Sequence, residues 1–176
     1  MSILNLPGIG DSGPGHWQAL WEEKDSRFAR VKQRDWYKPI CSEWVDTLQK
    51  AVDAAGPKPI LVAHSLGCLL VAHWALVSKT EIGGALLVAP ADPHGIFFPQ
   101  DAIGFSPVPT KPFVFRSVVV SSLDDPFAEA GFAEHCASDW GSRLVSAGPA
   151  GHINAESNLG YWPFGFALLE ELIGGE

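Results

Sequence analysis

Short apolar runs of strand length alternate along this chain with longer segments of helical period. Ile3-Leu4-Asn5-Leu6 is the first run and breaks at Pro7. Residues 29–33 read as a short edge strand. Pro59-Ile60-Leu61-Val62, residues 82–89 and residues 115–122 are nearly all apolar inside, the pattern of strands buried on both faces. Residues 142–146 read as the last strand. Between these runs, residues 16–23 carry Trp17, Leu20 and Trp21 on one helical face. Ile40, Trp44, Val45, Leu48, Val52 and Ala55 recur at three- and four-residue steps and stop at Gly56-Pro57, which predicts a helix over 40–55. Residues 68–77 read as a buried helix, 127–137 as a weaker one, and 161–173 as an aromatic-rich closing helix.

Strands alternating with helices at this pitch require crossover connections, hence a parallel arrangement. The expectation is an α/β fold: a mainly parallel sheet of five or six strands with helices on both faces and no cap domain, residues 1–176 forming a single domain. One long stretch, 90–112, has no period and is rich in proline, glycine and phenylalanine. Irregular loops of that length in compact domains are usually functional. Phe97, Phe98 and Phe105 there either line a pocket or cover the core.

Chemistry enters at Ala63-His64-Ser65-Leu66-Gly67, which joins the strand before it directly to the helix after it. A serine between small residues at a strand-to-helix turn is the nucleophile-elbow pattern, which lifts the hydroxyl above the sheet and leaves the next backbone N–H, that of Leu66, free for an oxyanion. The glycine-rich stretch 7–15 after the first strand lacks the Gly-Lys-Ser/Thr of a P-loop and the spacing of a dinucleotide fingerprint. Its use is to bring backbone N–H groups near a ligand oxygen, with Ile9 as the second donor and Gly10 beside it. His16, Trp17, Phe97 and Trp162 are further candidates for the substrate pocket.

Ligands in open α/β sheets sit beyond the carboxyl ends of the strands. Ser65, the pair Asp124-Asp125 and His152 each follow a predicted strand, in the order that the hydrolase arrangement uses. A serine needs an imidazole to take its proton, and the imidazole needs a carboxylate to set its tautomer. His152 suits the first role and Asp125 the second, with Asp124 the alternative that would shape the turn. His64 is read as a structural hydrogen-bonding residue, His73, His94 and His135 as solvated or locally satisfied, and Cys68 as a small core residue.

A net charge of -8 excludes nucleic acid or an anionic membrane surface as the main partner. No apolar stretch has bilayer length, and the opening residues lack a basic signal region. Three widely spaced cysteines make no disulfide framework and point to a reducing cytoplasm. No spacing suggests a metal, and no cofactor is implied.

Pro7-Gly8 with the following glycines, His16-Trp17, the 63–67 elbow, Ser121-Ser122-Leu123-Asp124-Asp125-Pro126-Phe127 and Gly151-His152 together resemble the small capless α/β-hydrolases of the RBBP9/YdeN serine hydrolase family, over essentially the whole chain. The family's aspartate directly precedes the proline, so the resemblance implies Ser65, His152 and Asp125 as its triad. The chain departs from the pattern at Ala63, where many relatives carry glycine. The resemblance implies hydrolysis of small ester or related acyl substrates. The short connections outside 90–112 leave no room for a lid domain and predict a shallow, open site. Thioester or amide cleavage by the same residues, or a catalytically silent fold acting as a protein-interaction module, are the alternatives.

Overall fold

The computed structural model describes residues 1–175. Six strands form one sheet: β1 (Ile3–Leu6), β2 (Phe28–Arg30), β3 (Ile60–His64), β4 (Gly84–Val88), β5 (Ser117–Ser121) and β6 (Arg143–Ser146). Their spatial order is β2-β1-β3-β4-β5-β6, and every pairing is parallel. The helices are α1 (Trp17–Lys24), α2 (Cys41–Ala54), α3 (Leu66–Val77), α4 (Phe132–Trp140) and α5 (Pro163–Gly174), with a 3₁₀ turn at Ala155–Ser157.

Each central strand is buried along its full length and feeds two cores by the two-residue period of the pleat. Leu61, Ala63, Ala85, Leu87 and Val119 meet Trp44, Leu48, Trp74 and Trp140 from α2, α3 and α4 on one face. Ile60, Val62, Leu86, Val88, Val118 and Val120 meet Trp17, Trp21, Trp162 and Leu169 from α1 and α5 on the other. A two-sided core explains why the strand sequences are continuous apolar runs. The helix predicted over 40–55 is observed at Cys41–Ala54, and the elbow helix starts at Leu66, directly after the serine.

Two expectations are corrected by polar chemistry. The helix predicted from 127 begins at Phe132, because the Asp125 carboxylate takes the Phe127 N–H at 2.9 Å and Asp92 takes the Glu129 N–H at 3.2 Å, holding 127–131 as a turn. In α1 it is Gln18, not Leu20, that is buried with Trp17 and Trp21. Its amide is satisfied by Asn5 Oδ1 (2.7 Å), the Val62 carbonyl (3.2 Å) and the Ser12 hydroxyl (2.6 Å). Residues 90–112 contain no helix or strand, as predicted; Phe105 turns into the core, Phe98 packs half-buried against it, and Phe97 is exposed.

From β1 the chain runs outward to β2 and then returns to add β3 on the other side of β1. Such a reversal opens a crevice at the carboxyl ends of the two strands, here where Leu6 and His64 end. The exit of β1 and the elbow touch there: a Cβ on Gly67 would collide with the Leu6 carbonyl oxygen, which is backbone and cannot swing away. Gly67→Ala should therefore destabilise the protein by about 2 kcal/mol or more, read as a lower urea midpoint at unchanged slope; a wild-type midpoint would disprove this contact.

Candidate active site

Ser65 adopts φ 55° and ψ −120°, outside the ordinary regions for a residue with a side chain. The strain is held by packing and by the Ser65 N–H donating to the Val88 carbonyl at 2.9 Å. Ala63, where glycine was the expected fit, lies in β3 with its methyl in the core and fully buried. The backbone that leaves no room for a side chain is elsewhere: a Cβ on Gly8 would stand 2.8 Å from the Ser65 Cβ. The glycine-rich loop thus lies directly against the elbow.

Three side chains meet here. His152 Nε2 is 2.8 Å from Ser65 Oγ, and its Nδ1 is 2.9 Å from each carboxylate oxygen of Asp125. His152 and Asp125 side chains are both only 8% exposed, so this ion-dipole line is shielded from water. A carboxylate only accepts, so Nδ1 carries the proton and Nε2 presents its lone pair to the serine hydroxyl. Asp124 faces away from that line. Its carboxylate accepts from the Gly151 N–H (2.8 Å) and the Ser122 hydroxyl (2.9 Å), which hold it below the usual carboxylate range and tie the β5 turn to the His152 loop.

The Leu66 and Ile9 N–H groups have no acceptor among the described residues, whereas the Gly10 N–H donates to the Trp36 carbonyl at 3.0 Å. A cavity of about 360 Å³ opens over Ser65. Ile9, His16, Phe97, Phe98 and Phe127 form its walls, with Asn154–Glu156 at one side. Among the sequence candidates, Ile9, His16 and Phe97 are therefore at the cavity. Gly10, Trp17 and Trp162 are not, and the correction has a physical cause in each case. The Gly10 N–H is taken by the Trp36 carbonyl. Trp17 and Trp162 are 1% and 4% exposed, Trp162 stacked on Trp21 and Trp17 tilted against both, in the core that α1 and α5 form on the sheet. Burying three indoles under α1 and α5 stabilises that core more than exposing them in a crevice could.

Phe127 and the 154–156 turn are cavity residues that no periodicity marked. Phe127 did carry a signal, its place in Asp-Asp-Pro-Phe; in the fold its ring lies 4.6 Å from that of His152. The 154–156 segment is brought in by the capping box of the 3₁₀ turn, where the Asn154 side chain accepts the Glu156 N–H. No group of three His, Cys, Asp or Glu side chains among the described residues is placed to hold a metal. The thiols are buried and unpaired; burial pushes Cys41 up to about 11 and Cys136 to about 12.

His16, His64 and His152 stand in that order in a row of edge-to-face rings, 4.8 and 4.9 Å apart. Full burial holds His64 well below the ordinary imidazole range, and its Nε2 meets the His152 carbonyl at 2.9 Å. His16 caps α1 by accepting the Gln18 N–H at Nδ1 (3.1 Å), while its buried Nε2 has no partner. Burial first, then the Arg30 guanidinium and His152, lower the His16 pKa from 6.5 to about 4.

This has a sign that can be checked. An unfolded chain protonates this imidazole near pH 6.5, the fold only near pH 4, so its contribution is complete above pH 6.5 and is lost as pH falls toward 4. The size is of order 3 kcal/mol. His16→Asn keeps a cap acceptor and removes the titration, so its stability should fall less steeply between pH 6.5 and 4 than that of the wild type. Parallel urea-derived stability curves would contradict the assignment.

A model of the serine hydrolase family matches residues 3–171. Among solved structures, a YdeN-like hydrolase from Pectobacterium atrosepticum superposes with a TM-score of 0.85 at 33% identity, covering 97% of this chain and 89% of that one. The ydeN gene product of B. subtilis gives 0.78 at 19% identity over 98% of both chains, and a hydrolase of the alpha/beta superfamily from Xanthomonas campestris gives 0.61 at 20%, over 97% and 99%. A search of curated protein sequences finds no match. With the sheet order, the elbow and the whole-length match in agreement, the chain belongs to the serine hydrolase family and has the α/β-hydrolase fold.

Proposed function

We propose that the protein is a serine hydrolase of small esters that works through an acyl-enzyme on Ser65. The observation that carries this reading is the single imidazole bridging Ser65 at 2.8 Å and Asp125 at 2.9 Å. In the first step His152 Nε2 takes the hydroxyl proton as Ser65 Oγ bonds to the acyl carbon, and the carbonyl oxygen becomes an oxyanion. The N–H groups of Leu66 and Ile9, left without protein acceptors, are the donors we assign to that oxyanion. Collapse breaks the bond to the leaving alcohol, which departs with the proton from His152. Water then repeats the sequence: His152 takes its proton, its oxygen attacks the acyl carbon, and the acid and free Ser65 are released. Asp125 keeps the imidazole in the required tautomer and stabilises its cationic form.

A cavity of about 360 Å³ with Phe97, Phe98 and Phe127 on its wall suits a short or compact acyl compound. Phe97 is 57% exposed, consistent with an open entrance, and no helix among the described residues is long and apolar enough to cross a membrane. We place the enzyme in the reducing cytoplasm on its three unpaired buried thiols.

A fluorophosphonate probe should label the wild type and leave Ser65→Ala unlabelled. Hydrolysis of p-nitrophenyl acetate should fall by about 10³-fold or more in Asp125→Asn. Asp124→Asn, which loosens the loop without touching the imidazole, should lose about tenfold or less. A folded wild type that resists the probe would return the protein to a non-catalytic binding role, and equal losses at 124 and 125 would reject the assignment of the carboxylate.

A further inference from the structure

Two ring N–H groups grip the main chain of the histidine loop, and neither is part of the Ser65–His152–Asp125 line. His64 Nε2 lies 2.9 Å from the His152 carbonyl oxygen. A carbonyl only accepts, so the His64 proton sits on Nε2 and donates. Trp17 Nε1 donates to the next carbonyl, that of Ile153, at 2.8 Å. No other donor among the described residues reaches the His152 carbonyl.

The gripped backbone is one that needs holding. Ile153 has φ 49°, a left-handed conformation that is strained for a β-branched residue and persists only where the surroundings over-determine it. Ile153 is fully buried, and the two donors are 5% and 1% exposed, so water cannot substitute for either bond. The Trp17 and His64 rings meet edge-on at 6.1 Å, so the two donors brace one another.

His64 also precedes the nucleophile in the chain, at the end of β3. One residue therefore carries Ser65 on its own carbonyl and holds the backbone of His152 through its side chain. The 2.8 Å gap between Ser65 and the imidazole is closed by a short circuit that runs from the elbow through the His64 ring to the His152 main chain and back through its side chain.

We propose that His64 and Trp17 are positioning residues: a two-point clamp on the carbonyls of His152 and Ile153 that sets the imidazole against Ser65. The clamp rests on the proposed roles of Ser65 and His152, since it is their alignment that it serves. Trp17 lies buried beneath the site, while His64, 5% exposed, reaches the cavity from below. A displacement of about 1 Å at a reacting group costs on the order of a hundredfold in rate.

The test counts only competent sites, by fluorophosphonate titration, and reads kcat per titrated site on p-nitrophenyl acetate. His64→Leu keeps the bulk and removes the donor; kcat should fall about 30- to 100-fold with KM changed by less than about threefold. His64→Gln, whose amide nitrogen can stand where Nε2 stood, should recover to within about fivefold of the wild type. Trp17→Phe should lose about tenfold, and the double variant less than the product of the two losses, because both act on one loop. A second readout needs no turnover: the low-field proton on His152 Nδ1 should stay sharp in the wild type and His64→Gln and broaden in His64→Leu. Wild-type kcat per titrated site and a sharp proton in His64→Leu would overturn the clamp and leave the hydrolase reading standing. A wild type that the probe does not label, yet with the proton responding as stated, would reject the hydrolase reading while the clamp itself holds.

Discussion

The site depends on one close approach. Where β1 ends and the elbow turns, Gly67 sits on the Leu6 carbonyl and Gly8 on the Cβ of Ser65, with no space for a methyl group at either contact. Parallel pairing of β1 with β3, in the register Leu6 opposite Ala63, brings these two exits together. The strained backbone of Ser65 is tolerable because the neighbouring chain, the Val88 carbonyl and the buried start of α3 leave it no alternative. Packing supplies the stabilisation and the elbow uses part of it.

The two loops that complete the site are held by different means. The glycine-rich loop is tethered by a polar strut. Arg30 on the edge strand bonds Asp11 and the Ser12 carbonyl on the loop, and Glu22 on α1. Glu22 in turn accepts from Asn5, which pairs with Gln18. Such a half-buried network is favourable only when every member is satisfied, and here the members named are. The histidine loop is tied by Asp124 to its amide at Gly151 and by ring donors to its carbonyls. Acceptors and donors therefore grip opposite sides of the same peptide run. Between the loops lies a cavity that is polar near His16 and aromatic near Phe97, Phe98 and Phe127.

Much of the architecture was legible along the chain, because a parallel sheet buried on both faces writes itself as unbroken apolar runs between helices. The strands at 60–64, 84–88 and 117–121 and the helix at 41–54 came within two residues of their expected bounds. The start of α4 was not legible, since it was decided by two carboxylates capturing amides across the turn. Trp17 and Trp162 misled for a related reason. A tryptophan beside a glycine loop looks the same in sequence whether its ring faces a crevice or a core, and only the arrival of α5 over α1 chose the core.

What the residues alone determined is the kind of chemistry: a serine at a strand-to-helix turn, a histidine and an acid after later strands, and small residues where the backbone must crowd. These are local or positional facts, and local geometry follows from them. What only the tertiary structure decided is which atoms meet. Asp125 was already favoured over Asp124 along the chain, and its contact with His152 agrees. The Gly10 N–H engaged by the Trp36 carbonyl and the grip of His64 and Trp17 on the histidine loop, by contrast, join residues between 26 and 136 positions apart. Distances that long along the chain are set by how the sheet orders its strands, and that order is a property of the whole core.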